Sequence, residues 1–184
     1  MTTYRIHTVE SAPEASRAAL RTLKGAFGLV PNLAATMAGA PALINTFVAA
    51  FGQFGSTGFT DGERQVLLLS NAVANRCAWA VAFHSTLALA RGVPESEVEA
   101  VRRGGLPSDP RLAALSATTR ALIDKRGHLD QADIKTFTAG GFDEAQLLDV
   151  VTGLAISTLA NYAGNLAGPP LEPPFQAQAW HDGY

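Results

Sequence analysis

The chain has 184 residues, of which 47% are apolar and only 16% charged, with a net charge of −2. That length supports one ordinary domain with a core of its own, and the near-neutral charge excludes an electrostatic footprint for nucleic acid or an anionic membrane surface. A single cysteine excludes an intrachain disulfide, an iron–sulfur cluster and a cysteine-rich zinc site.

Alanine, at 33 residues, far outweighs valine and isoleucine and favours helix over sheet. Pro and Gly cut the chain into helix-length pieces. From Pro13 to about Phe27, Ala15, Ala18, Ala19 and Leu23 recur at helical spacing, and Gly28 stops the run. Pro31 opens a short helix ending near Gly39, and Pro41 another to about Phe54, with Leu43, Phe47, Ala50 and Phe51 on one face. Thr60 or Asp61 is the candidate N-cap, Glu63 three residues after Thr60 having the spacing of a capping box, and a helix follows through Val66, Leu67, Leu69, Ser70 and Val73 to about Asn75. The next runs from Cys77 to Ala90 and ends at Arg91-Gly92, a cation and a capping glycine. Pro94 starts a helix stopped by Gly104-Gly105, and Asp109-Pro110 opens one to about Lys125. Asp130 begins a short helix ending at Gly140-Gly141, and Asp143 begins the longest, to about Gly168. No strand pair and no internal repeat stands out. The expectation is an all-α bundle of eight or nine helices in one domain, residues 1–184, with an N-terminal helical extension over about 1–40 and a Pro-rich tail over about 169–184 that wraps a surface.

Two stretches, Gly25 to Thr60 and Val150 to Gly168, carry no charge. The second could span a bilayer by length, but Thr152, Ser157, Thr158, Asn161, Tyr162 and Asn165 within it are costly in lipid. We expect instead a helix buried in a homo-oligomer, because a chain this poor in charge has little with which to cover its surface. With no charged-then-apolar leader at the N-terminus, the expected location is cytoplasmic, with no membrane and no nucleic-acid partner.

Chemistry concentrates in Cys77-Ala-Trp-Ala-Val-Ala-Phe-His84. Seven residues bring Cys77 and His84 back to one helix face, roughly 10 Å apart along the axis, with Ala80 between them. A cysteine in a first helical turn that faces a pocket should have its pKa lowered below about 8.5 by the helix amides. The same spacing equally describes a buried cysteine and a histidine satisfied by a backbone carbonyl. Trp79 and Phe83 read as core, Asp149 as solvated, and His7, His128 and His181 as surface residues. Asn161 and Asn165, four apart on one face, read as hydrogen-bonding across a helix pair or lining the site. No two histidines are spaced as metal ligands, and no cofactor is expected.

From about Leu29 to Leu171 the chain resembles the carboxymuconolactone decarboxylase and alkylhydroperoxidase-D (AhpD-like) superfamily, and within it the peroxidase-related branch. The matching pieces are Gly28-Leu-Val-Pro-Asn, Pro41 and its helix, Phe59-Thr-Asp-Gly-Glu-Arg-Gln, Cys77 to His84, Gly92-Val-Pro, Asp109-Pro-Arg-Leu, Gly141-Phe-Asp-Glu and Asn161-Tyr-Ala-Gly-Asn, in that order. The resemblance implies a helical fold that assembles as dimers, trimers or hexamers. In redox-active members it implies a Cys-x-x-Cys-x-x-x-His site with a glutamate twelve residues before the first cysteine. There the second cysteine attacks the peroxide, and the glutamate and histidine relay the proton that makes the thiolate. Carried over, Cys77 is the first cysteine and His84 the histidine, but Ala80 stands at the second cysteine and Gln65 at the glutamate. Glu63 lies about 200° away around its helix from Gln65 and does not substitute. Alanine carries no nucleophile and glutamine does not titrate, so a two-cysteine cycle within one chain is excluded.

Three readings remain at this point. Cys77 acts alone as a peroxidase, forming a sulfenic acid that an external thiol reductant resolves. Alternatively, His84 serves as acid/base in a cysteine-independent decarboxylase-type lyase, for which Arg64 and Arg76 are the nearby cations. Otherwise the site is derelict and the chain is an oligomeric binding protein.

Overall fold

A computed structural model describes residues 4–181. Among these residues the backbone is helical, with no strand. The helices are α1 (Glu14–Phe27), α2 (Asn32–Met37), α3 (Pro41–Phe54), α4 (Asp61–Ala74), α5 (Ala78–Ala90), α6 (Glu95–Arg102), α7 (Pro110–Asp124), α8 (Gln131–Ala139) and α9 (Glu144–Ala167), followed by a 3-10 segment, Pro173–Gln178.

Local chemistry accounts for most of the helix ends. Thr60 and Glu63 close a reciprocal capping box at the start of α4, and Asp143 with Gln146 does the same for α9. Asp109 accepts from the amides of Arg111 and Leu112 ahead of α7. At the other ends, α1 and α9 stop at Gly28 and Gly168, both left-handed, at φ 77° and 56°, a conformation that costs glycine nothing.

Helix α4 is the axis of the bundle and packs against α5, α6, α7 and α9. From Val66 to Ala72 every residue of it is buried, so it serves two cores at once. Val66, Leu69 and Ala72 join the cluster built from α1, α2, α5 and α6 with Phe175 of the 3-10 segment. Leu67 and Leu68 join the other, with Phe54, Leu115, Phe137, Val150 and Ile156. Glu63 does more than cap α4: it also takes the Nε–H of Arg111, whose guanidinium lies 3.9 Å from the centre of the Phe142 ring and donates to the carbonyls of Gly140 and Gly141. That cation ties α4, α7 and the α8–α9 turn together.

The C-terminal segment lies across α5. Glu172 accepts from Trp79 Nε1 at 2.9 Å and from the Asn32 amide, Phe175 stands edge-on to Phe83 with ring centres 5.0 Å apart, and Arg102 donates to the Gln178 and Ala179 carbonyls. Helix α9 is long and apolar enough to cross a membrane, but 33% of its most apolar window is buried inside the fold, and Asn161 and Gly164 face inward.

Candidate functional site

The site begins with one contact between α4 and α5. His84 Nδ1 lies 2.9 Å from Gln65 Oε1, nineteen residues away in sequence. An amide oxygen only accepts, so Nδ1 carries the proton and Nε2 keeps its lone pair. Nε2 has no hydrogen-bond partner among the described residues. His84 is half-buried and belongs to the lining of a cavity. Burial pushes its pKa down to about 3, so His84 is neutral throughout the physiological range.

The cavity has about 50 Å³ of room for the centres of water-sized molecules, several times what one water needs. Phe27, Phe47, Phe51, Trp79 and Phe83 line much of it, with aliphatic residues of α1, α2, α4 and α9 and with Ala80. Its only polar side chains are His84, Ser157 and the indole of Trp79, whose N–H is already taken by Glu172. No Arg or Lys lines it. Arg64 pairs with Asp61 and bonds the Phe59 carbonyl, and Arg76 lies outside the lining.

Three of the four motif positions therefore meet: Gln65 on His84, and Ala80 one turn before His84 on the cavity wall. Cys77 does not join them. It is the N-cap of α5, with φ −95° and ψ 92°, and this non-helical backbone takes its side chain off the helix face expected from spacing. Its sulfur packs where a Cβ on Gly164 would come within 2.9 Å, beside Leu33. The thiol is buried and lines no part of the cavity. Burial pushes its pKa up; the amides of Trp79 and Ala80 oppose this without overcoming it. The lowered pKa that a pocket-facing cysteine would show is replaced by a shift in the opposite direction, for want of the pocket.

Of the remaining residues, Asn165 donates to the Asn75 carbonyl at 2.8 Å and ties α9 to the end of α4. Asn161 is buried but lies outside the cavity lining. Trp79 and Phe83 are core residues that double as cavity wall. Among the described residues no three His, Cys, Asp or Glu side chains are grouped to hold a metal. Sequence reasoning missed Ser157 and Ile156 of α9 and Leu23 and Met37 before the motif. Ser157, Ile156 and Met37 lie in the charge-free runs, and Leu23 showed only in the helical spacing of α1.

Residues 41–120 match the carboxymuconolactone decarboxylase family. Most of the chain superposes on solved structures of peroxidase-related proteins. One from Ralstonia eutropha JMP134, described as an alkylhydroperoxidase AhpD core, is 21% identical, with 94% of this chain and 93% of that one covered and a TM-score of 0.81. The fold is AhpD-like. A peroxidase-related protein from Silicibacter sp. TM1040 is 15% identical over 96% of this chain and 95% of that one, with a TM-score of 0.78. A cysteine-to-alanine variant of the debrominase Bmp8, in complex with 2,3,4-tribromopyrrole, is 17% identical over 97% of this chain and 96% of that one, with a TM-score of 0.79. No curated protein matches the sequence. On the AhpD-like frame, the matched region supplies Gln65, Ala80 and His84, whereas α1, α2 and α9 outside it close the cavity's other walls.

Proposed function

We propose that the chain binds a small, uncharged, largely apolar ring compound in the His84 cavity, and that His84 Nε2 accepts a hydrogen bond, and in a reaction the proton, from an O–H or N–H of that compound. The observation that carries this reading is a neutral imidazole with a free acceptor at the edge of an aromatic, cation-free cavity. A carboxylate substrate of the lactone type has nothing there to replace its hydration. An imidazole of such low basicity takes a proton only from a ligand whose anion stays beside it, since the resulting pair stabilises both charges. The halogenated pyrrole bound by the structurally similar debrominase is an uncharged ring with an N–H, and so fits the same description.

Titration with 2,3,4-tribromopyrrole and with phenol, followed by tryptophan fluorescence, tests the reading; Trp79 is in the wall. Both should bind, benzoate should not, and His84→Leu should weaken both about tenfold. Equal binding by His84→Leu would overturn it.

A single-cysteine peroxidase is the second reading, favoured by the Trp79 and Ala80 amides directed at the Cys77 sulfur. The thiolate would attack a peroxide oxygen, releasing water or an alcohol and leaving a sulfenic acid. Two equivalents of an external thiol would then return the thiol, yielding a disulfide and water. On this reading Cys77→Ser abolishes peroxide consumption in excess thiol, whereas on the first it changes neither that background nor ring binding.

A further inference from the structure

Apart from His84 and the Trp79 indole, already paired with Glu172, Ser157 on α9 is the one polar side chain of the cavity lining. It lines the cavity, is 4% exposed, and its Oγ has no hydrogen-bond partner. A buried hydroxyl within a helix ordinarily bonds back to the carbonyl four residues earlier. Ser70 does so to Val66 at 2.8 Å, Thr119 to Leu115 at 2.8 Å, and Thr158, the next residue along α9, to Leu154 at 2.9 Å. Ser157 does not make this bond. Among the described residues, Asn71, Thr118 and Asn161 also carry a buried polar atom without a partner, but none of them lines the cavity. Among the described residues, only Ser157 both carries a buried polar atom without a partner and belongs to the cavity lining. Leaving a buried hydroxyl unpaired costs stability, and a ligand acceptor that reaches it would recover that cost.

Resting on the His84 reading above, we infer that Ser157 is a specificity-determining residue: its hydroxyl donates to an acceptor on the ligand while His84 Nε2 accepts from a donor on the same molecule. The two groups come from α5 and α9, so a ligand that satisfies both spans the cavity between them. The substrate class narrows to compact, uncharged rings that carry both an O–H or N–H and a carbonyl-type acceptor. A ring with the donor alone leaves Ser157 unpaired, and an anionic acceptor meets no cation.

The three hydroxybenzaldehydes and the three methylphenols serve as matched probes, since they are similar in size and share the donor while only the aldehydes carry the acceptor. Calorimetric titration at pH 6, where the probes are neutral, is carried out on the unaltered chain, Ser157→Ala and His84→Leu. At least one aldehyde isomer should bind the unaltered chain about tenfold tighter than its methylphenol. In Ser157→Ala that preference should shrink to about twofold or less, with methylphenol affinity unchanged. The aldehyde also makes the phenol a better donor, and because that effect persists in Ser157→Ala, the comparison isolates the serine. Ligand-free Ser157→Ala should melt at the same temperature as the unaltered chain or higher, because it loses only an unpaired hydroxyl. A preference that survives in Ser157→Ala, no preference in any isomer, or a lowered melting temperature overturns the inference. Methylphenol binding that falls in His84→Leu leaves the His84 reading standing in each of those cases, and absence of methylphenol binding overturns that reading itself.

Discussion

Gln65 holds His84 in a single tautomer without charging it. A glutamate in that place would favour the imidazolium, whereas the amide offers a lone pair and no charge, so burial decides the pKa unopposed. The folded value of about 3 lies below the ordinary 6.5. Between those limits the unfolded chain binds a proton that the folded chain refuses. Acidification therefore favours unfolding, and this contribution to stability, present in full above pH 6.5, is lost as pH falls, at up to about 1.4 kcal/mol per pH unit. Urea denaturation between pH 6.5 and 5 should show that slope in the unaltered chain and lose most of it in His84→Gln. The window stops above the range where the depressed carboxyls of Glu97 and Asp130 begin to act. An identical slope in both proteins would mean that His84 is solvated.

At the scale of the element, α9 reaches its neighbours through missing side chains. A Cβ on Gly153 would lie 2.5 Å from Leu67 Cδ2 and 3.1 Å from the Phe54 ring, and both neighbours are fully buried. Alanine ordinarily gains about 1 kcal/mol over glycine inside a helix, but overpacking costs about 1–3 kcal/mol. Gly153→Ala should therefore lower stability by about 1–2 kcal/mol. Gly25 in α1 supplies the control, because a Cβ there meets nothing within 4 Å. Gly25→Ala should raise stability by up to about 1 kcal/mol. Denaturation midpoints that move the same way for both would refute the packing account.

For the molecule as a whole, the outer face of α9 is the conspicuous feature. Leu148 and Leu166 are 72% and 74% exposed, and Val151 and Tyr162 are about half exposed. At 100° per residue these four fall within a sector of about 60°, an apolar seam along most of the helix. No charged residue interrupts it from Val151 to Leu166, so two copies of the seam would meet without repulsion. We propose that a second copy of the chain covers this stripe, since an exposed apolar seam on a charge-poor chain is suited to self-association. Light scattering at micromolar concentration should give a dimer or larger species for the unaltered chain and a monomer for Leu148→Glu/Leu166→Glu. A monomeric unaltered chain would remove the homo-oligomer from consideration.

Helix positions were legible in the sequence because their determinants are local. Thr60 with Glu63, Asp109 before Pro110, the Asp143 start, and the stops at Gly28 and Gly168 act over three or four residues, and the structure shows each of them. That Gln65 and His84 belong to one site was an expectation from the family resemblance alone, and the structure brings them within 2.9 Å. Only the tertiary structure decided what surrounds that pair. Cys77 was expected on the His84 face, but a cap residue leaves the helical backbone, and its side chain went to the gap at Gly164 instead. Ser157 entered the cavity from a helix more than seventy residues beyond His84, as Phe27 and Phe47 did from helices well before it. A cavity wall drawn from α1, α2, α3, α4, α5 and α9 has no period along the chain. Its residues become a site only when burial of six separate apolar faces brings them together.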